Sequence, residues 1–480
     1  MQEFQMLAKT FKGLEQVLAQ ELIELGASNV QIERRAVSFM GDKALMYRAN
    51  MCLRTASRVL KPLAVFKVED ADEVYMAVKQ IDWSQYMTLE TGFTIDSTVY
   101  SEQFRHSKYV TYRVKDAIVD QFMEKTGKRP NVRLTNPDLY INVHISETQV
   151  TISLDSSGES LHKRGYRVAN TEAPISEALA AGMLLMAGWK GASDFYDPMC
   201  GSGTFLIEAA LIAQNIAPGV FRQEFAFEKW PDFDADLWNS IYNDDSRECA
   251  FTHRIYGSDA SYYATQAALK NVKAAGQQNV IEVKQIRIQE LKDIKAEGAL
   301  VMMNPPYGER LRPHSSRSAI NAGGRQEDAP KDVELMRLYG DIGTTLKHQF
   351  TGATAWVISS NEDALKCIGL KPNKKVHLLN GELECLFNCY ELFAGERKEF
   401  VKSRPVKQTV EESGFVLDKR NGTPRSGVGS KRCRPSEHQD SSDRRFPAHE
   451  RYRSQRRDDS HEKRHSGTRR DDRGFARSQR

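Results

Sequence analysis

From residue 4 to about residue 393, short runs of alternating apolar and polar positions are separated by segments whose apolar residues recur every three or four positions. That is the pattern of mixed strands and helices. Residues 4–8 read as a strand, and residues 13–25 put Leu14, Val17, Leu18, Leu22 and Leu25 on one helical face. Strands at 30–33 and 36–40 and a helix at 43–51 complete a βαββα order, which suggests a small α+β unit over 1–60. Strands at 64–68 and 93–99, helices at 71–81 and 107–122, and a hairpin of 139–145 with 149–155 continue the style through residue 157. The turn-rich stretch from Asp155 to Glu159 then opens a linker, 158–172.

The second half changes rhythm. A helix is predicted over 173–188 and a short strand ending at Asp197. A Gly-rich turn follows, and a second helix opens at Thr204. Further strands at 254–259, 280–286, 300–303 and 353–358 give the alternation of a parallel α/β sheet. An antiparallel pair, 375–379 with 386–393, closes it, with Asn380-Gly381 in the connection. Within 218–246, Phe225, Phe227, Trp230, Phe233 and Trp238 read as a local core in preference to an RNA-facing insertion. The polar, Gly/Ser-rich residues 313–331 read as a mobile loop beside the site. From about residue 396 the apolar pattern stops, and such a segment cannot bury a core.

Charge sharpens this division. The chain has 68 Lys/Arg and 64 Asp/Glu. Residues 418–480 hold 19 and 10 of these, leaving 49 and 54 in residues 1–417, so the body is mildly acidic and the tail basic. A basic tail on an acidic body favours an electrostatic tether to nucleic acid over a plain solubilising segment. Seven scattered cysteines contain no Cys-x-x-Cys pair, which argues against a disulfide framework or zinc site. No metal is expected. No apolar run approaches the about 18 residues that span a membrane, and the first residues lack a signal peptide's pattern, so a cytoplasmic location is expected.

Two stretches carry candidate chemistry. In Asp197-Pro198-Met199-Cys200-Gly201-Ser202-Gly203-Thr204, the glycines permit positive φ and close approach to a ligand, and the following helix offers free N–H groups. Neither a P-loop nor Gly-x-Gly-x-x-Gly is present. Asp259, ending the next strand after Ser258, is suited to a ribose diol, because a carboxylate accepts from both hydroxyls. Arg287 stands where an adenine-reading Asp is often found. In the second stretch, Leu300 to Met303 run into Asn304-Pro305-Pro306-Tyr307-Gly308-Glu309-Arg310. The prolines stiffen this loop. The Asn304 side-chain oxygen and the Pro305 carbonyl can both accept from an exocyclic NH₂, favouring a pyramidal nitrogen whose lone pair faces an incoming methyl group. Tyr307 can stack on the base, worth roughly 1–3 kcal/mol.

The motif resembles that of S-adenosyl-L-methionine-dependent amino-methyltransferases acting on DNA adenine, RNA or glutamine amides. Residues 45–157 resemble a THUMP domain, with a ferredoxin-like partner at 1–60, and this implies an RNA substrate. Residues 1–395 together resemble the bacterial 23S rRNA guanine-N2 methyltransferases that carry a THUMP domain, in their N-terminal methyltransferase half. The resemblance implies a Rossmann-like methyltransferase domain at 173–395. Asp197, Met199, Cys200, Gly201, Gly203 and Thr204 would hold the methionine part of the cofactor, Ser258 and Asp259 the ribose, and Asn304, Pro305, Pro306 and Tyr307 the guanine amine. The partner is then 23S rRNA or a large-subunit precursor, with Arg105, His106, Lys108, Arg113, Lys115, Lys128, Arg129 and Arg133, and the denser Lys163, Arg164 and Arg167, as candidate RNA contacts. No second strand–Gly-loop follows residue 400, so one activity is expected. Two alternatives stay open: a tRNA guanine-N2 methyltransferase, and a non-catalytic RNA-binding ribosome-assembly factor.

Overall fold

The computed structural model describes residues 2–102, 104, 107–308 and 329–394. Arg105, His106, Glu309, Arg310, most of the 313–331 stretch and the 396–480 tail fall outside them.

The N-terminal half is built on one sheet. Its elements are β1 (Phe4–Thr10), α1 (Glu15–Glu24), β2 (Ser28–Glu33), β3 (Ala36–Gly41), α2 (Lys43–Cys52), β4 (Ala56–Lys67), α3 (Ala71–Lys79), β5 (Phe93–Tyr100), α4 (Ser107–Thr126), β6 (Leu139–Ser146) and β7 (Gln149–Asp155). Seven strands run in the order β2-β3-β1-β4-β7-β6-β5. The sequence pattern finds β4 only from residue 64, because the alternation is broken near Pro62. The strand instead starts at Ala56, pairs with β1 as far as Leu60 and with β7 from Leu60 onward. The register with β7 shifts between Pro62 and Ala64, as expected where a proline has no N–H to give the ladder. One twelve-residue strand therefore joins the ferredoxin-like unit and the THUMP-like unit edge to edge.

The second half comprises α5 (Glu177–Met186), β8 (Phe195–Asp197), α6 (Thr204–Ala213), α7 (Ala235–Tyr242), β9 (Ile255–Asp259), α8 (Tyr262–Ala274), β10 (Ile281–Gln285), β11 (Leu300–Met303), α9 (Ala329–Gln349), β12 (Thr354–Ser359), α10 (Glu362–Cys367), β13 (Lys374–Asn380) and β14 (Leu383–Glu391). The strand order is β10-β9-β8-β11-β12-β14-β13. The first five are parallel and the last two antiparallel to their neighbours. Helices α5, α6 and α8 cover one face, and α9 and α10 the other. This is a Rossmann-like domain.

Helix α5 begins at Glu177, four residues later than the apolar pattern suggests. Ala173 has left-handed φ (47°), which no helix accepts.

The two halves are fastened by buried contacts. Phe225, Phe227, Trp230 and Trp238 are core, as the sequence suggests, and Tyr47 of α2 stacks on Phe227 with ring centroids 4.3 Å apart. The linker contributes charge. Arg164 is 1% exposed. Its guanidinium donates to the carbonyls of Leu161 and Arg54 and pairs with Glu208 of α6 at 3.5 Å, while the Tyr166 hydroxyl donates to the same Glu208 oxygen at 2.8 Å. Arg164→Ala strands a fully buried carboxylate. It is expected to destabilise the protein by about 3–5 kcal/mol in urea unfolding, and Arg164→Leu with Glu208→Leu to recover most of the loss.

Candidate active site

Strand β8 leads the parallel sheet, with β9 on one side and β11 on the other, so the chain reverses winding direction between β8 and β11. In open α/β sheets the crevice at the carboxyl ends beside such a reversal is where ligands bind. The Gly-rich turn lies there. Gly201 and Gly203 have φ of 53° and 83°, and a Cβ on Gly203 would come within 3.3 Å of Ala268. The turn is tied to β9: the Cys200 N–H donates to the Ser258 carbonyl (2.9 Å), and the Gly201 N–H donates to Asp259 Oδ2 (3.0 Å). From α8, Asn271 braces it behind, donating to the carbonyls of Ser202 and Ala169 and accepting from the N–H groups of Val168 and Ala169. Nothing in the apolar periodicity distinguishes Asn271 as a brace.

Asp197 is 1% exposed and accepts from the Met199 N–H at 3.1 Å. Burial pushes its carboxyl well above the usual range, and the negative charge of Asp259 adds to the effect. Asp259 receives the N–H groups of Gly201 and Ser261, one on each oxygen. Burial, with the charges of Asp197 and Asp259, also raises the Cys200 thiol well above normal, so it stays a neutral thiol and not a nucleophile.

A cavity of about 1260 Å³ opens at this crevice. Asp197, Met199, Cys200, Gly201, Thr204, Asp259, Asn304 and Pro306 all line it. Ser258 and Gly203 stand behind the wall, holding the turn. Residues 170–175 supply a further wall that the sequence was not expected to give. They sit there because Arg167 reaches back, donating to the Ile175 carbonyl (2.9 Å) and to Thr204 Oγ1 (3.1 Å), with Glu177 2.9 Å away. Arg287 also lines the cavity, as do Glu334, Arg337 and Asp341 of α9. The α9 residues lie 30 or more positions beyond Asn304, with no local motif to flag them.

The Asn304–Tyr307 loop continues β11 into this space. Asn304 is half-buried, Pro305 buried and Pro306 exposed. The Tyr307 ring is fully buried and does not line the cavity. It therefore presents no face to a base in this arrangement, contrary to expectation. Its hydroxyl donates to Asn304 Oδ1 instead. The loop backbone is held by side chains: Tyr339 donates to the Pro306 carbonyl (3.0 Å) and Asn361 to the Tyr307 carbonyl (3.4 Å).

The candidate RNA contacts separate into two groups. Lys108, Arg113 and Lys115 lie on α4, with Lys108 exposed. Arg113 pairs with Asp72 and lies over the Tyr75 ring, and Lys115 pairs with Asp116. Lys128, Arg129, Arg133 and Lys163 are exposed. Arg164 and Arg167 are corrected: their heads are taken up inside the protein by Glu208, Glu177 and backbone carbonyls, so they serve the linker and not an RNA surface.

With this geometry in place, comparison with known proteins is decisive. Residues 5–60 match the RlmL ferredoxin-like domain, 68–155 the THUMP domain and 164–321 the RMKL-like methyltransferase domain. The chain is 41% identical over 388 residues to a Synechocystis sp. protein named "Putative RNA methyltransferase slr0064", covering 80% of this chain and 96% of that one. The chain belongs to the RlmL-like THUMP-domain methyltransferases. It is also 38% identical to the ribosomal RNA large subunit methyltransferase K/L of Syntrophotalea carbinolica, over 78% of this chain but 52% of that protein. It thus spans about half the length of the K/L relatives. The structure of "SMU.472, a putative methyltransferase complexed with SAH", 30% identical, superposes with a TM-score of 0.71 over 82% of this chain and all of that one. Among the described residues, no helix is long and apolar enough to cross a membrane.

The raised Asp197 pKa has a testable sign. The native state keeps a proton that the unfolded chain releases in the ordinary carboxylate range. Stability is therefore lost as pH climbs from that range towards the raised value. Asp197→Asn, which keeps the acceptor for Met199, is expected to melt higher than wild type at neutral pH, with the difference shrinking in acid.

Proposed function

We propose that this protein methylates the exocyclic N2 amine of a guanine in 23S rRNA, using S-adenosyl-L-methionine. The observation that carries the proposal is Asn304, held rigidly at the end of β11 on the same cavity as Asp197 and Asp259. The cavity fits the cofactor. The buried Asp197 carboxyl, held protonated by its surroundings, would ionise beside a cation, which the methionine α-amino group supplies. Asp259 keeps free lone pairs for a ribose diol. When bound, the cofactor would supply a methyl carbon on a sulfonium, whose sulfur would leave as a neutral thioether as the N–C bond forms, the methylated amine giving up one proton to water.

The chain's own residues do the rest by placement. Asp197, Met199, Cys200, Gly201, Gly203 and Thr204 form the methionine end of the cradle, and Ser258 and Asp259 the ribose end. Asn304 Oδ1 and the Pro305 carbonyl accept the two amine protons and so present the nitrogen lone pair. Fixing this geometry in advance removes orientational entropy from the barrier. Neither a metal nor a covalent intermediate is needed, because the electrophile is already activated. The guanine has to be unpaired or flipped to enter.

RNA as the substrate class rests on the THUMP domain and the names of the relatives; the choice of 23S rRNA rests on the K/L relatives. Lys108, Arg113 and Lys115 of α4, with the exposed Lys128, Arg129, Arg133 and Lys163, are the proposed phosphate contacts.

Nucleoside mass spectrometry with site mapping of rRNA from cells with and without the protein tests this reading. The expected result is loss of one N2-methylguanosine in 23S rRNA, restored by wild type. Asn304→Ala should not restore it, its turnover falling by about 10²–10³-fold, as for loss of one preorganised polar group. A mark lost from tRNA instead, or no mark lost, overturns the reading. Asp197→Asn should weaken cofactor binding by about 10–100-fold in calorimetry, the worth of a hydrogen bond to a charged group, while raising apo stability.

A further inference from the structure

We infer that Asn380 is a positioning residue for methyl transfer, acting through the Tyr307 hydroxyl to orient Asn304. This inference rests on the functional reading above, in which Asn304 Oδ1 accepts from the target amine.

The Asn380 side chain lies at the end of β13, outside the 194–310 region that contains both motifs. Its Nδ2 donates to the Tyr307 hydroxyl at 3.2 Å, and that hydroxyl donates to Asn304 Oδ1. The directionality follows from the groups. An amide NH₂ can only donate, so the phenol oxygen accepts from Asn380 and its single proton points to Asn304. Asn304 Oδ1 has two lone pairs. With one occupied by Tyr307, the amide plane is fixed and the other lone pair remains for substrate. Burial of the ring keeps bulk water from competing for the hydroxyl.

Asn380 is itself held from outside the methyltransferase domain. Gly13 sits against β13 so closely that a Cβ would come within 2.9 Å of Leu378 and 3.1 Å of the His377 carbonyl. Lys12 pairs with Glu384 at 3.6 Å across the same contact. The hairpin that delivers Asn380 is thus seated on the ferredoxin-like unit.

The test is a double-mutant cycle on full-length protein with rRNA as substrate. Asn380→Ala should lower kcat by about tenfold, less than the 10²-fold that misplacement can cost, while leaving KM for RNA and the cofactor Kd within about twofold. Asn380→Asp is nearly the same shape but can only accept, so it draws the phenol proton away from Asn304. It should be at least as damaging as Asn380→Ala. On a Tyr307→Phe background the Asn380→Ala change should have no further effect on kcat, because the hydroxyl it acts through is gone. Equal losses in both backgrounds, or near-normal turnover of Asn380→Asp, overturn the inference. A readout independent of turnover is fluorine NMR with fluorotyrosine at position 307. Its resonance should move in Asn380→Asp, and an unmoved resonance also overturns the contact. If wild type methylates RNA at a group other than guanine N2, the functional reading fails, and the cycle is decided on whichever product forms.

Discussion

The arrangement depends on one buried ion pair. Glu208 projects from α6, the helix whose N-terminus the Gly-rich turn opens, and it meets Arg164 of the linker in a setting with almost no water. A carboxylate that deep is tolerable only if its partner stays, and Arg164 stays because its other donors are tied to Leu161 and Arg54. The pair therefore fixes three things together: helix α6, the linker and the end of α2. Three residues further along, Arg167 uses the same linker to hold the 170–175 wall against Thr204. Removing charge here would loosen the cavity from behind.

The Asn304–Tyr307 loop follows a related logic with neutral groups. Three polar atoms of the Asn304–Tyr307 segment take partners from later elements: the Pro306 carbonyl from Tyr339 of α9, the Tyr307 carbonyl from Asn361 ahead of α10, and the Tyr307 hydroxyl from Asn380 of β13. Prolines stiffen the backbone, and these side chains choose which stiff conformation is adopted.

Much of this was legible in the sequence, and the boundary is physical. The strand and helix alternation, the aromatic core of 218–246, the Gly-rich turn and the Asn-Pro-Pro-Tyr loop are local patterns, and local patterns survive in a linear reading. The misreadings arose where tertiary contacts decide. Lys163-Arg164-Gly165-Tyr166-Arg167 looks like an RNA-facing basic run because charge is normally solvated. Only the fold brings Glu208 and Glu177 to Arg164 and Arg167. Tyr307 looked like a stacking platform because the motif suggests it, but Asn380, 73 residues on, draws its hydroxyl inward. Residues 173–176 look helical because they are largely apolar, yet Ala173 takes a left-handed φ and Arg167 holds the Ile175 carbonyl, so the helix starts at Glu177.

The shared strand β4 has a consequence of its own. Among the described residues, two units on one continuous sheet are clamped to the methyltransferase domain by the linker ion pair and the Tyr47–Phe227 stack, which tie the α4 face to the cavity. The span between them is a fixed caliper. An RNA that engages both must supply the curvature itself, so the energy of bending falls on the nucleic acid, and only an RNA already close to that shape meets both ends cheaply.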